Sequence, residues 1–89
     1  MTNLPAIIRA TRQSANALSA MARHAHTAAD ASGTIAHNYR MLAAGRISAE
    51  SAAMGNRIAA ANKLAGMHAW QRAARRFDAA QITLANNPI

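Results

Sequence analysis

No cysteine occurs in the 89 residues, which removes disulfides and thiolate metal sites as means of holding a small chain together. Carboxylates are almost as scarce: Asp30, Glu50 and Asp78 are the only three. That shortage excludes the paired acids of general acid–base chemistry, and each of the three has a simpler place near a helix end or beside an arginine. Tryptophan, tyrosine and phenylalanine occur once each and valine not at all. With β-branched residues this sparse and never alternating over a useful length, no segment reads as a strand. No apolar run approaches the ~18 residues of a membrane span. The start Met1-Thr2-Asn3-Leu4-Pro5 has no basic region followed by an apolar stretch, so a soluble chain not exported by the general route is expected. The first thirty residues, rich in Arg and Ala, imitate a mitochondrial transit peptide. Their heptads run on, however, and the composition persists beyond them, which argues for a part of the fold.

Chemistry-bearing constellations are missing too. His24 and His26 are two apart and point to nearly opposite sides of a helix, while His37 and His68 stand alone. A metal pair on one helix needs a spacing of three or four, so neither a metal nor another cofactor is expected. There is no glycine-rich phosphate loop and no nucleophile elbow, and the sequence reads as that of a non-enzymatic protein.

What the chain does have is alanine, 26 residues of it, against 20 larger apolar ones. Two seven-residue ladders, Leu4-Thr11-Leu18-Ala25 and Ile8-Ala15-Ala22-Ala29, place all eight residues on one stripe of a helix. Arg9, Arg12, Asn16, Arg23 and Thr27 fall on the opposite side. The stripe reads as a packing seam that lets a second helix come close because its side chains are small. A first helix is expected over about 4–31, capped by Thr2 or Asn3, with Pro5 tolerated in its first turn. Gly33 is expected to end it and Thr34 to cap a short second helix, about 34–44, closed by Gly45. Ser48 then caps a long third helix over about 48–85, with Glu50 in its first turn and a tail at 86–89. Its apolar residues form two faces. Ile47, Met54, Ile58, Ala61 and Ala65 share one, and Gly55, Ala59, Gly66, Trp70, Phe77 and Leu84 the other. Glycine at 55 and 66 fits close approach by another backbone, or a bend. The expected fold is all-α in a single domain, a helical hairpin or three-helix bundle that oligomerises. Trp70 and Phe77 are assigned to its seam.

Ten Lys or Arg against three acids give a net charge of +7, and nine of the ten are arginine. Such a surface draws nucleic acid, anionic lipid or an acidic protein face, or simply keeps an alanine-rich protein in solution. Arg72, Arg75 and Arg76, in Gln71-Arg72-Ala73-Ala74-Arg75-Arg76, lie opposite Trp70 and Phe77 and with Arg9, Arg12 and Arg23 are the candidate contacts. Two helix-turn-helix registers are available, one turning at Gly33 and one at Gly55. A membrane-active amphipathic helix is a weaker reading, because the apolar face of the first helix has little bulk to insert.

The segments Met41-Leu42-Ala43-Ala44-Gly45-Arg46 and Ala69-Trp70-Gln71-Arg72-Ala73-Ala74-Arg75-Arg76 carry a resemblance to small helical bacteriophage virion proteins of the internal, ejection or head–tail class. It is a likeness of composition over the whole chain. It implies a structural protein in a virion or bacterial host cytoplasm, packing into an oligomer or onto a larger particle. The competing expectation is a small basic nucleic-acid-binding or inhibitory protein.

Overall fold

A computed structural model describes residues 3–88. They form two helices, α1 (Leu4–Ala43) and α2 (Ala49–Ala85), folded back on each other as a hairpin 67 Å long and 15 Å across. Asn3 caps α1, its Oδ1 accepting from the Ala6 N–H at 3.1 Å, and Pro5 sits in the first turn, where its missing N–H costs nothing. At the other end the Arg46 N–H donates to the Met41 carbonyl and the Gly45 N–H to that of Leu42. This paired closure needs a left-handed residue, which Gly45 supplies with φ +71°. Ser48 opens α2, accepting from the Ser51 N–H at 3.1 Å.

The break expected at Gly33 does not occur, and the segments expected as separate helices over 4–31 and 34–44 are one. Thr34 caps nothing; its hydroxyl donates back to the Asp30 carbonyl inside the helix. A glycine in a helix interior costs about 1 kcal/mol. The neighbours of Gly33 outweigh that, because Ala31, Ile35 and Asn38 all face α2 and can do so only if the helix runs on. The described residues therefore form two helices, and neither Gly33 nor Gly55 makes a turn of the kind a helix-turn-helix requires.

Small residues make the contact between the helices. On α2 every fully buried residue is seven from the next: Ala52, Ala59, Gly66, Ala73 and Ala80. On α1 the buried set is Ala10, Ser14, Ala17, Ala20 and Ala31, with Ile7, Met21, His24, Ala28, Ile35 and Asn38 half-buried along the same line. A seven-residue repeat on both partners is the signature of helices wound about each other, here antiparallel. The backbones approach closely at Gly66, where an added β-carbon would lie 3.2 Å from the His24 carbonyl oxygen and 3.5 Å from the Ala28 nitrogen. Two side-chain hydrogen bonds fix the register. Asn38 Nδ2 donates to Asn56 Oδ1 near the turn, and Gln81 Nε2 to Ser14 Oγ near the open end, each at 3.0 Å.

The stripe of Leu4, Ile8, Ala15, Leu18, Ala22, Ala25 and Ala29 is not this seam. All seven are exposed, and the true line through Ala10, Ser14 and Ala17 lies one residue earlier, a rotation of about 100° about the helix axis. On α2 Phe77 is half-buried, while Trp70 sits at the edge with 39% of its surface exposed. The physical reason is the distance of approach: backbones this close admit alanine, glycine and serine between them and force bulkier side chains to the flanks. Circular dichroism is expected to give more than about two-thirds helix and no sheet for the folded protein, as 40- and 37-residue helices require.

Candidate interaction surfaces

A two-helix hairpin has two broad sides, and here they differ in chemistry. One is apolar. Ala25, Ala28 and His24 of α1 and Met67, Trp70 and Gln71 of α2 line a shallow concavity of about 360 Å³ there. Residues seven apart take equivalent places along wound helices, so Leu4, Thr11 and Leu18 extend the line of Ala25 along α1, with Ile8, Ala15, Ala22 and Ala29 beside them. Leu64 and Asp78 share the row of Gln71 on α2. Leu4, Ile8, Leu18, Leu64, Met67 and Trp70 are all exposed, and Leu18 keeps 51% of its surface. Asp78 is the charged residue of this side between Leu64 and Ala85.

The other side is polar and cationic. Gln13, Asn16, Ala17, Ala20 and Arg23 of α1 meet Arg76 and Ala79 of α2 around a concavity of about 460 Å³. By the same heptad equivalence Arg9 belongs with Asn16 and Arg23, and Arg72 with Ala79. Arg9, Arg23, Arg72 and Arg76 thus share one side, although they come from both ends of the chain. Arg12 and Arg75 point outward, away from the partner helix. Toward the turn the same side carries a second hollow of about 250 Å³ between Thr27, Asp30 and Thr34 and Gly55, Ile58 and Asn62.

Among the described residues the one ion pair joins His26 to Asp30 at 3.3 Å, between exposed side chains where such a pair contributes little. Among the described residues none of the arginines is paired with a carboxylate. No cluster of three metal-ligating side chains is present among the described residues, and no helix is long and apolar enough to cross a membrane. Sequence reasoning named the arginines and placed Asn16 on the same side of the first helix as Arg9 and Arg23, but missed Gln13. The signal was available once α2 is aligned in sevens, because Arg76 then falls on the same edge as Gly55 and Asn62. Comparison with family models, curated proteins and solved structures gives no match to this chain.

Proposed function

We propose that this chain is a non-enzymatic structural protein that acts by assembling, as a component of a bacteriophage virion or a comparable particle, and resides there or in the bacterial host cytoplasm. One observation carries the reading: the distribution of apolar bulk is inverted. The hairpin hides alanines, one serine and one glycine, has no large side chain fully buried, and keeps Leu4, Ile8, Leu18, Leu64, Met67 and Trp70 outside. Its accessible surface of 6329 Å² exceeds the roughly 5,000 Å² of a compact monomer of its 9.4 kDa mass. A side chain of leucine size contributes about 1.5–3 kcal/mol when buried, and these contribute little until something covers them.

A second copy fits that role. A broad side 67 by 15 Å offers on the order of 1,000 Å², above the ~800 Å² per partner of a standard interface. Two chains of charge +7 repel through their arginine sides, so the apolar sides are left to meet, most simply about a two-fold axis that makes four helices of two hairpins. Sedimentation equilibrium is expected to return a multiple of 9.4 kDa in the absence of nucleic acid. A strict monomer that stays fully helical across the micromolar range would count against assembly of copies of this chain with one another.

A further inference from the structure

We propose that the side of the hairpin opposite the apolar one binds the phosphodiester backbone of nucleic acid, with Arg23 and Arg76 as its centre. These two residues come from different helices, 53 positions apart in the chain, and line one concavity with Gln13 and Asn16. Guanidinium groups supply forked donors matched to phosphate oxygens, and the two amides add neutral donors between them. Among the described residues no carboxylate is ion-paired with either arginine. Cations gathered around a shared hollow repel each other until an anion enters, and the gain on binding is correspondingly larger.

The extent of the cationic side selects a polymer over a small anion. From Arg9 to Arg23 the helix rises about 21 Å, and over that length one strand of a duplex carries about six phosphates. Arg72 and Arg76 face the same stretch from α2, because the antiparallel pairing sets Ser14 against Gln81 and His24 against Gly66. An anionic membrane fits less well. Binding to lipid gains its strength from apolar residues inserted beside the cations, and Leu18, Met67 and Trp70 are on the far side, while Ile58 on this side lies toward the turn, away from Arg23 and Arg76. Base stacking is not part of the site for the same reason: Trp70 opens onto the apolar side and Phe77 lies in the seam, so contact is to the backbone and without sequence preference.

The test uses labelled mixed-sequence duplex and single-stranded DNA with the whole protein, followed by fluorescence anisotropy between about 50 and 200 mM salt. R23Q/R76Q is compared with R12Q/R75Q, which removes the same charge from the outward faces. R23Q/R76Q is expected to weaken binding about tenfold or more and to flatten the logarithmic salt slope by about 2. R12Q/R75Q should lose less than about threefold, as long-range attraction alone predicts. All four arginines are exposed, and helix content by circular dichroism should be unchanged in both variants. Equal loss from the two pairs would overturn the site, since net charge would then suffice. Failure to bind either DNA at low salt would also overturn it, as would binding to phosphatidylglycerol vesicles in place of DNA. The oligomeric mass, measured on the same samples, reports separately on the assembly reading.

Discussion

Ala73→Leu is expected to lower the melting temperature of the hairpin more than any substitution on its outer surface. Ala73 is 0% exposed, the fourth of the five small residues that α2 presents to α1. Extra methylenes in a filled contact cost roughly 1–3 kcal/mol, and a domain of this size shifts by about 4–8 °C per kcal/mol. Here the strain is not confined to one site. A leucine between two long helices holds the backbones apart for several turns, weakening the contacts at Ala59, Gly66 and Ala80 along with its own. Gly66→Leu should act in the same direction, because the nearest obstacle is the His24 carbonyl, a backbone atom that moves only if α1 moves. Ala22→Leu is the matched control. It makes the same chemical change on the exposed stripe of α1, and its melting temperature should equal or exceed that of the unchanged protein. Thermal denaturation followed at the helix signal decides the point. A larger loss from Ala22→Leu than from Ala73→Leu would place the close contact on the other stripe.

That pair of substitutions also marks where the sequence misleads. Helix content, the caps at Asn3 and Ser48, the turn at Gly45 and the end of α2 near Ala85 are all legible, because each follows from local chemistry within a few residues. So is the close backbone approach at Gly66, since a glycine in a helix interior has a cost that something must repay. The seam of α1 is not legible by the usual weighting. A reading that looks for bulk selects Leu4, Ile8 and Leu18, whereas the helix turns Ala10, Ser14 and Ala17 inward. Burial ordinarily follows the largest apolar side chains, and the exception arises because these backbones approach too closely to admit them. Gly33 misleads for a related reason. Its conformational freedom is local information, and the contacts of Ala31, Ile35 and Asn38 with α2, which keep the helix continuous through it, are not. The arginines could be named from the sequence, but their grouping required the register. Only the antiparallel pairing brings Arg76 beside Arg23 and sends Arg75, its neighbour in the chain, to the outside.

L18E/M67E is expected to dissociate the assembly that the apolar side is proposed to form. Both residues are exposed in the single hairpin, Leu18 at 51% and Met67 at 44%, so neither change disturbs the contact between α1 and α2. Across a two-fold interface each substitution occurs twice. Losing the burial of two such side chains per chain removes about 3 kcal/mol or more, and a carboxylate forced into an apolar contact adds a desolvation penalty, so association should weaken at least about a hundredfold. The mass by sedimentation should fall to that of one chain. Trp70, the one tryptophan, lines the concavity beside Met67 and offers a second readout: its emission should shift to the red as the apolar side meets water. S19E/H68E adds the same charge on exposed residues of the outward faces and should leave mass and emission unchanged. If L18E/M67E keeps the oligomer intact, the copies do not meet through this side. If the unchanged protein is already a monomer with a fully exposed tryptophan, the inverted distribution of apolar bulk must be met by a partner other than itself.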